Sequence, residues 1–254
     1  MRILLVLVAV LTVACGDSPT TPTPVSQPPA PPVVATAPPP PTVVTPPAPP
    51  AAPAPAPAPT FPPNDPRFDL THYRQFVHNA YDTRSGLEPL RRQSQAPRIY
   101  LRTIDDAGRS IDAFSLDQTA SALERVAGSL TGVFGLAGLE RGTETRQGQR
   151  GWITVRWSGV EELRNEFSVC GRGNVGGDLI TLFPRSPGCR CPGGPAVNLA
   201  TVKHELGHVL GFWHTDDKND LMYPVIRQCD TDPSERERYH ASVAYSRPIG
   251  SAAP

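Results

Sequence analysis

Three of the chain's six histidines fall within eleven positions, in the run His204-Glu205-Leu206-Gly207-His208-Val209-Leu210-Gly211-Phe212-Trp213-His214. On a helix, His204 and His208 stand one turn apart, so both imidazoles project from one face and reach a single ion. Glu205 follows the first of them directly, which carries its carboxylate past the ion to where it can take a proton from a metal-activated water. Gly211 closes the periodic stretch, and a glycine just past a helix end turns the chain through the left-handed conformation. That turn brings His214 back as a third ligand. Three protein nitrogens leave one tetrahedral position for water, the arrangement of a catalytic zinc rather than a structural one.

The element that must carry these residues is a helix over 196–210, with Leu199, Val202, Leu206 and Leu210 recurring at steps of three and four. Shortly after His214 comes Asp220-Leu221-Met222-Tyr223-Pro224. Together the two strings resemble the zinc helix and the methionine-containing turn of the metzincin clan of metallopeptidases. Within the clan the resemblance is to the matrixins. It covers about residues 98 to 246, and its specific part is confined to 198–224. Matrixins usually carry Ser after the third histidine, where this chain has Thr215, but the short connection to Met222-Tyr223-Pro224 is kept. Astacin-like relatives would have Glu after the third histidine and Tyr two places beyond the Met, and this chain has neither.

The resemblance implies an α+β, metzincin-like zincin fold: a twisted mixed sheet with a long helix and a zinc-binding active-site helix. It implies one catalytic Zn2+ on His204, His208 and His214, with Glu205 as general base. Met222 would form an apolar floor under the metal, and Tyr223 and Pro224 would line the specificity pocket. The strand before the zinc helix would be the edge strand that pairs with an extended protein or peptide substrate, and 178–183 is the candidate. The cysteine-bearing inhibitory propeptide of animal matrixins has no counterpart between Pro66 and Arg98, where there is no Cys. Their second, structural zinc cluster is also missing. Asp178 and the glycines before it are the candidate for a Ca2+ ion.

The chain opens with Met1-Arg2 and an apolar run, Ile3 to Val13, too short to span a bilayer and read as an export signal. The string Leu11-Thr12-Val13-Ala14-Cys15-Gly16 resembles the cleavage and lipidation site of bacterial lipoproteins. That implies a signal peptide over 1–14, acylation of Cys15 and a place on the cell envelope, at the outer membrane or cell surface; release from the cell is the other fate. Residues 15–66 form a Pro, Ala, Thr and Val tract that lacks the composition to bury a core and favours extended geometry. At ~3.1 Å per residue such a stalk spans up to roughly 150 Å. Removing Cys15 from the five cysteines leaves Cys170, Cys189, Cys191 and Cys229 as an even set in an exported chain. Cys189 and Cys191 are too close to bond each other, so each pairs with one of Cys170 and Cys229, in an order the spacing leaves open.

The remaining domain, 67–248, is followed by 249–254, read as a disordered tail. Spacing predicts a helix over 68–81, a strand over 98–104 and a long helix from a Ser115/Gln118 capping box to about Ser129 or Thr131. Further strands are predicted over 151–157 and 178–183, and a final helix over 233–245 with Asp232 as its cap. His72 and His78 are read as ordinary surface or packing histidines, and His240 as structural rather than catalytic. A formal net charge of zero argues against nucleic acid. The membrane is expected as a partner only through the lipid anchor, and the chain as a monomer. The leading function is thus zinc-dependent cleavage of peptide bonds in extended proteins. Hydrolysis of peptidoglycan cross-links is a second reading, and a non-catalytic adhesive lipoprotein keeping the fold is a third, against which the intact Glu205 argues.

Overall fold

A computed structural model of the chain describes residues 61, 63–83, 86–160, 163–164, 167–226 and 228–254. The export signal, Cys15 and most of the 15–66 tract lie outside them. The elements in order are α1 (Leu70–His78), β1 (Arg98–Asp105), α2 (Ala113–Thr131), β2 (Gly138–Gly142), β3 (Trp152–Trp157), β4 (Leu163–Arg164), β5 (Phe167–Ser168), β6 (Gly171–Gly173), β7 (Leu179–Leu182), α3 (Leu199–Leu210) and α4 (Glu235–Tyr245). Five strands form one mixed sheet in the order β2-β1-β3-β7-β6, with β6 alone running antiparallel to its neighbour, while β4 and β5 form a separate two-stranded ladder. The α+β expectation holds.

The core lies between this sheet and α2 and α3. Ile99 and Leu101 of β1, Ile153, Val155 and Trp157 of β3, and Ile180 and Leu182 of β7 meet Leu123, Val126 and Leu130 of α2 and Val202, Leu206 and Val209 of α3. The indole N–H of Trp157, fully enclosed, donates to the carbonyl of Arg102 at 2.7 Å, so its one polar atom is satisfied.

Element boundaries differ from the sequence reading at several points, α1 running 70–78 rather than 68–81 and α3 199–210 rather than 196–210 among them. The α2 cap is Asp112, whose carboxylate accepts from the Ser115 N–H and hydroxyl, while the Ser115 Oγ accepts from the Ala196 N–H at 2.8 Å. An ionised carboxylate is the stronger cap, which frees Ser115 to tie α2 to the approach to α3. The final helix starts at a capping box of Ser234 and Glu237 rather than at Asp232, because Asp232 is engaged by Lys203. Residues 249–254, read as a disordered tail, instead pair with Leu90: its N–H donates to the Ser251 carbonyl, and the Gly250 N–H returns to the Leu90 carbonyl.

The larger correction concerns the edge strand. Residues 178–183 are not the edge, because β7 pairs with β3 on one side and with β6 on the other. The turn at 174–177, closed by Gly177 N–H to Asn174 C=O at 2.8 Å, folds a short glycine-containing strand back along β7, and that strand is the rim. Two cross-links, Cys170–Cys189 and Cys191–Cys229, resolve the open pairing.

The N-terminal helix is built into the domain. Phe61 and Phe68 pack on Tyr73, and Phe76 stacks on Phe212 with ring centroids 4.3 Å apart. His72 is buried between Phe76 and His240, and neither of its ring nitrogens has a hydrogen-bond partner among the described residues. Burial, helped by Arg236, holds its pKa down at about 3 from an ordinary 6.5. A depressed folded-state value means that its contribution is complete above about pH 6.5 and drains as pH falls toward 3. The charges of Asp69 and Asp217 offset part of this. Between pH 7.5 and 5 the wild type should therefore lose up to ~2 kcal/mol more than a His72→Leu variant, measured by urea unfolding at the two pH values. Equal losses would remove His72 as the source.

Candidate metal centre

All twelve residues of α3 are buried. A helix enclosed on every side belongs to an interior, and the cost falls on Lys203, whose Nζ is 2.6 Å from Asp230 and 2.5 Å from Asp232. Asn198 caps the helix by accepting from the Thr201 N–H, and Gly211 ends it at φ 112°, as the spacing requires. A Cβ at Gly211 would lie 1.9 Å from the Arg91 carbonyl oxygen, so no other residue fits that turn without moving the backbone.

His204, His208 and His214 converge. Each offers one ligand nitrogen, and these atoms all lie within 4.8 Å of one another. The Nδ1 of His204 faces the Leu221 carbonyl at 2.7 Å, and that of His208 faces the Phe212 carbonyl at 2.8 Å. A carbonyl only accepts, so both Nδ1 atoms carry the proton and both Nε2 atoms keep a free lone pair. His214 Nδ1 lies 2.8 and 3.0 Å from the two carboxylate oxygens of Asp82, which selects the same tautomer. Burial first, then the neighbouring His214, brings His204 down to about 4, and burial with both neighbours brings His208 well below its usual range. Neutral imidazoles with free Nε2 atoms are what a zinc ion takes, so the residues fit the group that the sequence implies.

Glu205 lies beside the triad, with its carboxylate against bare Gly171: a Cβ there would fall 2.5 Å from its Cγ and 2.7 Å from its Oε1. A Cβ at Gly173 would lie 2.4 Å from the Glu205 carbonyl oxygen. The two glycines of β6 thus let the edge strand press directly on the zinc helix. Burial pushes the Glu205 carboxyl up to about 8, against the pull of the Gly173 N–H and of Arg172.

Met222 is fully buried. Its sulfur sits where a side chain at Gly207 would go, 2.4 Å from the Cβ position, under the helical turn between His204 and His208. Thr215 retains the hydroxyl of the usual Ser: its Oγ donates to Asp220 at 3.0 Å, and its N–H donates to the Met222 carbonyl at 3.0 Å. Asp220 also accepts from Ser234 and Arg236. Glu237 of α4 accepts from the N–H groups of Leu221 and Met222, which fixes the backbone whose carbonyl orients His204. Tyr223 and Pro224 are half-buried, and Tyr223 lines a small cavity of about 30 Å³ with Leu221, Val225 and Ile226.

Asp178 gives no support to calcium. Its carboxylate accepts from the Gly148 N–H, and the histidine triad is the single group of three or more potential ligands among the described residues. His78 and His240 serve packing and backbone hydrogen bonds, as expected. Sequence reasoning missed Asp82, Glu237 and the role of Gly171 and Gly173; the Ser234-x-x-Glu237 box was the one legible signal among them.

The Peptidase M10 family model, described as matrixin, matches residues 148–238. Among solved structures, the archaemetzincin of Methanopyrus kandleri is similar at 13% identity and TM-score 0.43, over 60% of this chain and 97% of that one. The archaemetzincin of Archaeoglobus fulgidus, solved with malonate, is similar at 14% identity and TM-score 0.38, over 56% of this chain and 99% of that one. No curated protein sequence matches the chain.

A Gly173→Ala substitution should force β6 off α3, costing ~1–3 kcal/mol of stability by the usual penalty for overpacking, and it should weaken zinc retention as His208 and Glu205 shift. Thermal unfolding with and without zinc reads both effects. An unchanged midpoint would show that the strand and helix are not in forced contact.

Proposed function

We propose, with the matrixin match over 148–238 as premise, that this chain is a zinc-dependent endopeptidase tethered to the cell envelope through Cys15 and the 15–66 tract. The observation that carries the reading is the set of three imidazoles locked by their Nδ1 atoms, with a buried carboxylate beside them. His204, His208 and His214 would hold the ion. When bound, zinc supplies a Lewis acid that polarises a peptide carbonyl and makes a water acidic enough to attack it.

The remaining work belongs to the protein. Glu205 takes the proton from the attacking water and returns it to the departing amine, which closes the proton balance of hydrolysis. Its buried position raises its proton affinity, and a dication in the triad opposes that rise. The Gly173 N–H keeps the carboxylate on the strand side of the site.

Substrate recognition would use β6. Among the described residues β6 has a strand neighbour, β7, on one side alone, so an extended peptide would add along its other side, where the Gly173 N–H already donates to Glu205. Its glycines lie against Glu205 and His208, so a segment added there would pass beside the histidine triad. Main-chain pairing gives affinity without demanding particular side chains. Selectivity then falls to pockets such as the one beside Tyr223.

The test is cleavage of a complex peptide library by oxidised, zinc-loaded full-length protein, compared with Glu205→Gln. Cleavage by the wild type and a fall of about 10²–10⁴-fold in the variant are expected for loss of a general base. Wild-type protein with stoichiometric zinc that cuts no peptide would sink the proposal, and a parallel digest of purified cell wall would show whether peptidoglycan is the substrate instead.

A further inference from the structure

His204 and His208 are oriented by backbone carbonyls of the methionine-containing turn and of the turn that ends the zinc helix. His214 is different. Its Nδ1 is held by a side chain 132 residues earlier in the chain, Asp82, with both carboxylate oxygens within 3.0 Å. Asp82 follows α1, in a segment well outside the matrixin-like stretch. The same segment grips the chain on both sides of His214. The Trp213 N–H donates to the Phe76 carbonyl at 2.7 Å, the Asp216 N–H donates to Gln75 Oε1 at 3.4 Å, and Phe76 lies flat on Phe212.

We propose that Asp82 is a positioning residue of the metal centre, and that the N-terminal helix and its following turn complete the zinc site by fixing the third ligand; this rests on the zinc reading above. The physical case is one of freedom. His214 lies beyond the helix, and its side chain is 24% exposed, whereas His204 and His208 are enclosed and cannot rotate. A ring at the solvent margin can offer either nitrogen or turn away. A carboxylate on Nδ1–H removes both choices, and it makes Nε2 a stronger donor by drawing on the proton at the far side of the ring. An ordinary exposed Asp–His pair contributes little to folding. The contribution of Asp82 is therefore expected in metal affinity, not in the stability of the empty protein.

The experiment titrates zinc into oxidised full-length wild type, Asp82→Ala and Asp82→Asn against a chromogenic chelator, and records the thermal midpoint of each zinc-free protein. The Ala variant should bind zinc about 10–100-fold more weakly, with its zinc-free midpoint within about 2 °C of wild type. Asn keeps an acceptor for Nδ1–H without the charge and should recover part of the loss. Equal Kd values in all three proteins overturn the proposal while leaving the metal centre standing. A loss in the Ala variant that Asn does not relieve, accompanied by a lowered zinc-free midpoint, assigns Asp82 to folding and overturns it as well. Wild-type protein that takes up no zinc overturns this proposal and the metal-centre reading together.

Discussion

Each of the three imidazoles has one proton to place, and the fold can be read as the set of acceptors that receive those protons. An imidazole that donates from Nδ1 to a fixed oxygen is held in one tautomer and one orientation, and its Nε2 lone pair is left for a metal. One acceptor is the Phe212 carbonyl, delivered by the turn at Gly211. Another is the Leu221 carbonyl, delivered by the methionine-containing turn. The third is the carboxylate of Asp82, delivered by the N-terminal helix. Three separated parts of the chain meet for this purpose, and the packing of α1, α3 and α4 follows from having to bring them there.

The methionine-containing turn shows how far the support extends. Its backbone N–H groups are received by Glu237, its start is pinned through Asp220 to Thr215, Ser234 and Arg236, and its sulfur fills the space that Gly207 leaves open. Buried polar groups are tolerable only when every member of such a network is served. Glu237 stays buried with three N–H donors, and burial together with Asp220 still pushes its carboxyl up to about 7. The Thr215 departure from the usual Ser leaves this network intact, because the hydroxyl is what the network uses.

The convergence of the three histidines was legible because helical periodicity, an i, i+4 histidine pair and a terminal glycine are all local signals. So were β1, β3 and the pairing options of the four cysteines. The edge strand was not. β6 is three residues long, two of them glycine, so it carries no alternating pattern, and its role comes entirely from lying against α3. β2 was missed for a related reason: Gly138-Leu139-Glu140-Arg141-Gly142 reads as a turn, and only its register with β1 makes it a strand. Asp82 left no trace in the sequence, since a single acidic residue 132 positions from its partner has no periodicity to betray it.

The two cross-links share a hub. Cys189 and Cys191 sit one residue apart in the loop leading to α3; the first reaches back to the root of the edge strand at Cys170, and the second reaches forward to Cys229 beyond the methionine-containing turn. The Asn198 N–H bonds the Cys189 carbonyl, and the Leu199 N–H bonds the Cys229 carbonyl, so the first turn of the zinc helix hangs from both bonds. Reduction of both links, as in a thiol-rich compartment, would leave that turn held by its hydrogen bonds and packing alone. The redox state of these four cysteines therefore bears on the approach to the triad while leaving the three imidazoles and their acceptors chemically untouched.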